Sequence, residues 1–116
     1  MSIGVYTLTC KKNGMVYVGE SLNLEQRIRD HVRNLKKGLH SNVHLQSDYD
    51  KYGCYFDYKI VHYYDGKDTD DRSEIKAELK MIEDFLIRYY TKRNKCYNVV
   101  HGDKRNRAYY RKRGLA

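Results

Sequence analysis

The sequence of 116 residues has few cysteines, no proline or tryptophan, and no long apolar run. About 18 consecutive apolar residues are needed to cross a membrane, so no membrane-spanning helix is predicted, and no segment is typical of a secretory signal peptide. The three cysteines, at positions 10, 54 and 96, are odd in number and widely spaced, which argues against a disulfide framework or a zinc knuckle. We therefore expect reduced thiols in a cytoplasmic protein.

Length and charge define the general class of the protein. A chain of this length forms one domain with a single modest core. Lysine and arginine (23) outnumber aspartate and glutamate (15), giving a formal net charge of +8, which favours nucleic acid as the partner. We predict a globular domain over residues 1–100 and a basic tail over residues 101–116. The tail is expected either to bind DNA phosphates or to be a solvated terminus, and its basic residues are Lys104, Arg105, Arg107, Arg111, Lys112 and Arg113.

Two β-prone runs at the start of the chain each carry a tyrosine, in Gly4-Val5-Tyr6 and in Tyr17-Val18-Gly19. Asn13-Gly14 lies between them and is typical of a hairpin turn, so we predict antiparallel strands over residues 3–10 and 15–19. Because side chains alternate across a strand, the two tyrosines project from the same face of the hairpin.

The length of the hairpin loop determines which residues stand opposite each other. A two-residue loop pairs Cys10 with Tyr17, whereas a four-residue loop pairs Leu8 with Tyr17 and Tyr6 with Gly19. Only the longer loop makes the two tyrosines diagonal neighbours, about 7–8 Å apart, with space for the Tyr6 ring beside Gly19. Two phenols converging on a gap indicate a functional site, although tyrosines are also common in strands for packing alone.

Two helices are predicted after the hairpin. Asn23 and Gln26 have the spacing of a capping box, in which each side chain covers a free amide, and the helix should end near Gly38. Ser41 is the expected N-cap of a second, shorter helix that ends at Gly53. The first helix carries an apolar stripe with the spacing of a core face, formed by Leu24, Ile28, Val32 and Leu35.

The second half of the chain predicts one strand and one long helix. Residues 54–64 are rich in aromatic and β-branched side chains and are typical of a strand. The acidic loop over residues 65–74 is expected to face away from a nucleic acid. Residues 96–100 are predicted as a closing strand or extended segment. The helix runs from about residue 73 to residue 90, with a core face of Ile75, Leu79, Ile82, Leu86 and Tyr89.

Polar residues beside these core faces are the candidates for chemistry. Arg27 and His31 are four residues apart and so share one helix face, from which an arginine can contact a phosphate and a histidine can exchange a proton. Glu83 falls at the edge of the core face of the long helix and suits a divalent cation. The alternatives are a solvated Arg/His pair and a glutamate in a salt bridge. His40 and His44 lack a third ligand, so structural zinc is not expected.

Taken in order, these features resemble the GIY-YIG nuclease family, specifically the catalytic domains of phage and intron homing endonucleases. The two tyrosine-containing runs correspond to the two motifs that name the family, and the resemblance spans about residues 3–100. It implies an α+β fold with a small, mainly antiparallel three-stranded sheet flanked by three or more helices. The other matching positions are Arg27, His31, His40 within residues 37–41, Leu45-Gln46, Lys51, Gly53, Phe56, Glu83 within residues 83–87, and Tyr97-Asn98.

The resemblance implies hydrolysis of DNA phosphodiester bonds to 5′-phosphate and 3′-hydroxyl ends. Glu83 is then the protein ligand of one divalent cation, magnesium or its substitute manganese, and Arg27 stabilises the charge of the transition state. Tyr6 is our choice of general base, and Tyr17 holds water or phosphate, or the two exchange roles.

Supporting roles and partners follow from the same resemblance. His31 and His40 are expected to orient Tyr6 or shuttle its proton, and Asn98 to fix the geometry. Glu20, at a position often small or basic in the family, is expected either to repel substrate or to pair with Arg27. The protein is expected in the cytoplasm of a bacterial or phage-infected cell, free-standing, as a homodimer on DNA, or joined to a DNA-binding domain.

Other functions remain open. A catalytically inactive module could hold nucleic acid in the same groove, and Glu20 is the feature that favours it. A small restriction or repair nuclease and an RNA-processing enzyme are further alternatives. No membrane partner is expected.

Overall fold

The computed structural model describes residues 2–53, 56–67 and 69–98. The strands of this part of the chain form one antiparallel sheet, in which the strand of residues 4–10 lies between the strands of residues 16–21 and 56–63. The predicted α+β fold, a three-stranded antiparallel sheet with three helices, is confirmed. The elements in chain order are β1 (Gly4–Cys10), β2 (Val16–Ser21), α1 (Leu24–Lys37), α2 (Val43–Tyr52), β3 (Phe56–Tyr63) and α3 (Arg72–Lys92).

The sheet lies between two layers of helices. Side chains alternate across β1, so Tyr6 packs with one helical layer while the adjacent Val5 packs with the other. Helices α1 and α2 cover the face that carries Tyr6, Leu8 and Cys10, with Leu24, Leu35 and Leu45 in contact. Helix α3 covers the opposite face, where Val5, Val16 and Val18 meet Ile75, Leu79 and Ile87. Strand β1 is therefore buried on both faces.

Of the two hairpin loops that the sequence allows, the structure has the four-residue one. Leu8 stands opposite Tyr17, and Tyr6 stands opposite Gly19. The loop is closed by the N–H of Gly14, which donates to the carbonyl of Cys10 at 2.8 Å, and Gly14 has a φ of 73°, where a side chain would be strained. The two tyrosines therefore lie in the register in which they are diagonal neighbours.

Helix α1 begins and ends where the sequence predicts, with Asn23 as N-cap and Gly38 in the left-handed region as C-cap. The N–H of Gln26 donates to the Asn23 side chain at 3.2 Å. The expected return contact from the Gln26 side chain is wrong. The N–H of Asn23 already donates to the hydroxyl of Ser21 at 2.9 Å, and the Gln26 amide donates instead to Asp30 at 2.9 Å.

The buried face of α1 differs from the predicted stripe at one position. Leu24 and Leu35 are buried as expected, but Val32 is 40% exposed, and the adjacent His31 is only 2% exposed. Burial of a histidine is tolerated here because both of its ring nitrogens have hydrogen-bond partners. A polar side chain thus occupies a core position that the pattern assigned to valine.

The N-cap of α2 is Asn42 rather than Ser41. Its side-chain oxygen accepts a hydrogen bond from the N–H of Leu45 at 3.0 Å, and its amide donates to the carbonyl of Tyr97 at 2.8 Å. An asparagine side chain has both an acceptor oxygen and a donor nitrogen, so it can make the two bonds at once. Gly53 ends the helix, as predicted.

Helix α3 begins one residue before the predicted start and ends two residues after the predicted end, with Asp71 as N-cap. Ile75 and Leu79 are buried as expected. The assignment of Tyr89 to the core face is wrong, because the buried side turns toward Ile87 in the last turns. The Tyr89 ring is 42% exposed and lies 3.6 Å from the guanidinium of Arg93.

Several predictions fall on residues at the edge of the described part of the chain or beyond it. The extended segment before residue 99 makes one parallel bridge, between Cys96 and Val16. Residues 54 and 55, at the predicted start of β3, lie outside the described residues. No helix in the described part of the chain is long and apolar enough to cross a membrane. Also outside the described residues are the tail positions Lys104, Arg105, Arg107, Arg111, Lys112 and Arg113.

Candidate active site

Four aromatic and imidazole rings meet between β1, β2 and α1. The hydroxyl of Tyr6 and Nε2 of His31 share a hydrogen bond of 2.5 Å, and Nδ1 of His31 lies 2.7 Å from Nε2 of His40. The two imidazoles are stacked, with ring centroids 4.9 Å apart. Tyr17 meets both histidines edge to face, at 5.2 Å from the His31 ring and 5.8 Å from the His40 ring.

Gly19 makes room for the Tyr6 ring at this point. It stands opposite Tyr6 in the β1–β2 ladder, and a β-carbon at Gly19 would lie 2.2 Å from the Tyr6 hydroxyl oxygen. No side chain can approach an oxygen so closely, so only glycine permits this position of the phenol. The close approach explains why the second motif ends in glycine.

The loop between α1 and α2 places His40 next to His31. The backbone N–H of His40 donates to the side-chain oxygen of Gln46 at 3.0 Å, and the Gln46 amide donates to the carbonyl of Leu35 at 3.0 Å. Gln46 is itself buried. It therefore ties the loop to the last turn of α1 and holds the backbone of His40 in place.

Arg27 lies one helical turn before His31, with an exposed position on α1. Burial raises the pKa of Tyr17, while the nearby positive charge of Arg27 acts to lower it. Burial and the charge of Tyr17 likewise raise the pKa of Tyr6, again opposed by Arg27. The guanidinium is thus close enough to favour the phenolate form of either tyrosine, and it points a permanent positive charge toward the site.

Both histidines are held neutral. Burial lowers the pKa of His31 to about 3, and the positive charge of Arg27 acts in the same direction. Burial and Arg27 also lower the pKa of His40. Neither imidazole is positively charged at neutral pH. Arg27 is therefore the only cationic group that faces the phenols from α1.

Glu83 on α3 is half-buried and faces another carboxylate. Burial raises its pKa, and the negative charge of Glu20 on β2 raises it further. Glu20 forms its ion pair with Lys76, at 3.7 Å through Oε1, so the pairing of Glu20 with Arg27 is wrong. The charge of Glu83 is also among the causes, after burial, that raise the pKa of Tyr17, which places it within electrostatic range of the phenols.

This region has the oxygen donors that a hard divalent cation prefers. Oε2 of Glu20 is buried and accepts no hydrogen bond from the described residues. The Glu20 charge raises the pKa of Glu83, so the two carboxylates lie near each other. No group of three or more His, Cys, Asp or Glu side chains converges within the described ranges. The residues therefore fit a cation that takes one or two protein carboxylates and completes its shell with water and phosphate oxygens.

Asn98 lies apart from the rings, at the edge of the sheet. Its side-chain oxygen accepts from the N–H of Val18 at 2.7 Å, and its amide donates to the carbonyl of Val18 at 2.7 Å. These two bonds satisfy the edge-strand residue between Tyr17 and Gly19. Asn98 thereby fixes the backbone that carries both of them.

The structure brings together most of the residues that the sequence singles out. Tyr6, Tyr17, His31 and His40 are in ring contact, and Arg27 borders them. Glu83 lies on the neighbouring helix, and Asn98 supports the backbone of β2. Their catalytic roles stay predictions.

Sequence reasoning missed Gln46 and Asn42 as supports of His40. The Gln46 contacts link residues that are distant in sequence. For Asn42, the signal was its position three residues before Leu45, which is the spacing of an N-cap.

Comparison with known proteins establishes the family. The family model of the GIY-YIG catalytic domain matches residues 2–98. The chain belongs to the GIY-YIG catalytic domain family. The resemblance seen in the sequence is thus confirmed.

Relatives of this GIY-YIG domain are intron endonucleases. The chain is 30% identical over 103 residues to intron-associated endonuclease 1 of Enterobacteria phage T4, covering 86% of this chain and 38% of that protein. The chain therefore spans about two-fifths of the length of this relative. The catalytic domain of intron endonuclease I-TevI has the same fold, with a TM-score of 0.70 and 26% identity over 84% of this chain and 98% of that one. A mutant of that domain gives a TM-score of 0.71 and 26% identity, with 89% and 98% covered.

Proposed function

We propose that this chain is a metal-dependent DNA endonuclease domain of the homing-endonuclease type. It hydrolyses phosphodiester bonds and leaves 5′-phosphate and 3′-hydroxyl ends. The observation that carries the proposal is the convergence of Arg27 with the hydrogen-bonded Tyr6–His31 pair, within electrostatic range of Glu83. A permanent cation can stabilise the transition-state charge, a phenol can act as general base, and a half-buried carboxylate can hold a metal ion, and these are roles that phosphodiester hydrolysis uses.

Arg27 acts on the charge that develops on the phosphate. A guanidinium can bind two phosphate oxygens at once, and its charge stabilises a pentavalent transition state more than the ground state. The same charge opposes the rise in the pKa of Tyr6 and Tyr17 that burial causes. Arg27 therefore stabilises the charge on the phosphate and also favours the phenolate form of the general base.

Tyr6 is the proposed general base that removes a proton from the attacking water. Its hydroxyl is fixed by His31, and its ring is fixed against Gly19, so the oxygen has one defined position. Tyr17 lies on the same face and holds water or phosphate; an exchange of the two roles is the alternative. Asn98 holds the Val18 backbone that carries Tyr17 and Gly19.

Glu83 is the proposed protein ligand of one divalent cation, magnesium in the cell with manganese as a substitute. When bound, such a cation polarises the scissile phosphate and stabilises the leaving 3′ oxygen. The buried, unsatisfied oxygen of Glu20 and the raised pKa of Glu83 support a cation at this place, since a dication would relieve the repulsion between the two carboxylates.

DNA is the proposed substrate, and one such site cuts one strand. A double-strand break then requires a homodimer, two successive nicks or a partner DNA-binding domain. The basic tail, residues 101–116, is proposed to bind backbone phosphates. We propose that the domain acts in the cytoplasm of a bacterial or phage-infected cell, and the similarity to an intron-associated endonuclease of phage T4 supports this.

Incubation of supercoiled plasmid with the full chain, in magnesium and in EDTA, tests the proposal. We expect nicked and then linear DNA in magnesium only, with nicks that DNA ligase can seal, because ligase requires adjacent 5′-phosphate and 3′-hydroxyl ends. A matched RNA substrate separates RNA processing from DNA cleavage. DNA binding without cleavage in magnesium would instead indicate the inactive binding module.

A further inference from the structure

The hydrogen bonds around the two histidines allow only one assignment of their protons. The backbone N–H of Asn42 donates to Nδ1 of His40, at 3.0 Å. A ring nitrogen that accepts a hydrogen bond carries no proton. His40 is therefore neutral, and its single ring proton is on Nε2.

The proton position on His40 determines the proton position on His31, and thereby the direction of the hydrogen bond to Tyr6. Nε2 of His40 lies 2.7 Å from Nδ1 of His31. Because Nε2 of His40 carries a proton, it donates this hydrogen bond, and Nδ1 of His31 accepts it. His31 is then also neutral with its proton on Nε2. That nitrogen lies 2.5 Å from the Tyr6 hydroxyl, so it donates to the phenol oxygen.

We propose that the backbone N–H of Asn42 is a positioning group that fixes the direction of these hydrogen bonds. His40 then donates to His31 and His31 donates to the Tyr6 oxygen, so the two histidines are not a path for the Tyr6 proton. This inference rests on the proposed function and deepens it. The Tyr6 oxygen receives a hydrogen bond that favours its phenolate, and its own proton leaves on the side of Arg27 and Tyr17.

Transfer of the Tyr6 proton outward, through His31 and His40, is blocked at Asn42. For the Tyr6 proton to pass to Nε2 of His31, the His31 proton must already be on Nδ1, facing His40. The His40 proton must then be on its own Nδ1, where it would face the N–H of Asn42. Two donors would meet at 3.0 Å with no acceptor between them, so the outward relay is closed at this backbone group.

Asn42 cannot easily turn its N–H away. As the N-cap of α2, it bonds the N–H of Leu45 through its side-chain oxygen and the carbonyl of Tyr97 through its amide. The backbone of His40 is held separately by Gln46. The donor of the hydrogen bond between Asn42 and His40 is thus held by the Asn42 side-chain bonds, and its acceptor is held by Gln46.

The surroundings of His31 agree with a neutral donor. The groups that face it are Tyr6, Tyr17 and His40, with Arg27 one turn earlier on α1 and Asp30 adjacent. Burial and the Arg27 charge lower its pKa to about 3, and the Asp30 charge opposes this only in part. His31 therefore stays neutral across the neutral pH range.

Nitrogen-15 NMR of histidine-labelled protein, without cation or DNA, tests the inference. We expect both His31 and His40 to show the Nε2–H tautomer from pH 5.5 to 8.5. An Nδ1–H tautomer or a charged imidazolium at either residue in that range would overturn it. Because no substrate is present, this result is independent of whether the chain is a nuclease.

Two substitutions at Asn42 isolate its N–H. Asn42→Ala and Asn42→Pro both lose the side-chain bonds, but only proline lacks the N–H, and the φ of −86° at this position is near the value that proline adopts. We expect Asn42→Ala to retain the Nε2–H tautomers and Asn42→Pro to show Nδ1–H at His40. Identical spectra for the two variants would contradict the role of the N–H, and if proline prevents folding, the wild-type spectrum decides.

Activity of His31 variants separates a donor from a relay. Glutamine can present an amide N–H near the place of Nε2, but it cannot pass a proton on. We expect His31→Gln to keep cleavage within about tenfold of wild type, whereas His31→Ala loses on the order of 100-fold or more. Equal losses in two folded variants would overturn the donor role.

Discussion

Gly19 stands directly opposite Tyr6 in the sheet, and a β-carbon at Gly19 would lie 2.2 Å from the Tyr6 hydroxyl oxygen. The phenol therefore occupies space that only a glycine leaves free. This relationship connects the two tyrosine motifs physically: the second motif supplies the gap that the tyrosine of the first one fills.

Gly19→Ala is expected to displace the Tyr6 ring and break its bond with His31. We expect cleavage to fall on the order of 100-fold, since a misplacement of about 1 Å is sufficient for such a loss. Stability should fall by about 1–3 kcal/mol from overpacking. Plasmid cleavage and urea denaturation measure the two effects.

Gly14→Ala is the matched control. Gly14 has a φ of 73°, but a β-carbon there would lie 3.9 Å from the Lys95 side chain, an ordinary contact distance. It should cost about 1 kcal/mol of stability through backbone strain and leave the cleavage rate unchanged. If Gly19→Ala cuts at the wild-type rate, Tyr6 does not need its observed position.

Glu83→Ala is expected to abolish cation binding at the site while DNA binding remains. Manganese serves as the probe, because it broadens the NMR signals of nearby residues, and in the wild type we expect broadening at Glu83 and Glu20. The control is Asp84→Ala, which removes the adjacent carboxylate, 50% exposed and paired with Lys80. Equal manganese binding by the Glu83 variant and wild type would disprove the ligand assignment.

Asn98→Ala is expected to loosen strand β2 at Val18. Both polar backbone groups of Val18 lose their partner, at about 1–3 kcal/mol for the unsatisfied groups. Amide exchange should accelerate at Val18 more than at Val5, in the neighbouring strand. Unchanged exchange at Val18 would mean that Asn98 does not hold the strand.

The buried neutral state of His31 predicts a loss of stability in acid. The pKa is about 3 in the folded protein and near 6.5 in the unfolded chain, so between these values the unfolded chain binds more protons. The free energy of unfolding therefore falls as the pH decreases from about 6.5 toward 3, with a slope of up to about 1.4 kcal/mol per pH unit from this residue.

His31→Gln, which cannot take up a proton, should make that pH dependence shallower. Urea denaturation of both proteins at pH 7, 5.5 and 4.5 gives the comparison. Parallel curves for wild type and His31→Gln would show that His31 is not the source of the acid sensitivity.

Most of the fold follows from sequence patterns, because the helices are amphipathic and the hairpin has a recognisable turn. The register of the hairpin was left with two solutions, since Asn13-Gly14 fits either loop length. Tertiary packing selects the longer loop, in which the Lys95 side chain donates to the carbonyl of Asn13 and the N–H of Val16 to the carbonyl of Lys95. The sequence pattern does not contain these contacts.

The side chains of the candidate site were predictable by residue type, but the groups that hold His40 in place were not. Asn42 acts through a backbone N–H, which every residue except proline possesses, so no residue pattern indicates it. Likewise, His31 replaces Val32 in the core because its two ring bonds compensate its burial, and these bonds exist only after folding. Side-chain chemistry is visible in a sequence, whereas hydrogen-bond direction requires the structure.

The most direct test of the nuclease assignment is the rate of nicking of supercoiled plasmid by wild type, Arg27→Ala and Arg29→Ala, in magnesium and in EDTA. Arg29 is a matched control on the same helix, where it donates to Gln26. We predict magnesium-dependent nicking by wild type and Arg29→Ala, and a loss on the order of 100-fold or more in Arg27→Ala. Nicking by Arg27→Ala at the wild-type rate, or nicking that persists in EDTA, would contradict the account.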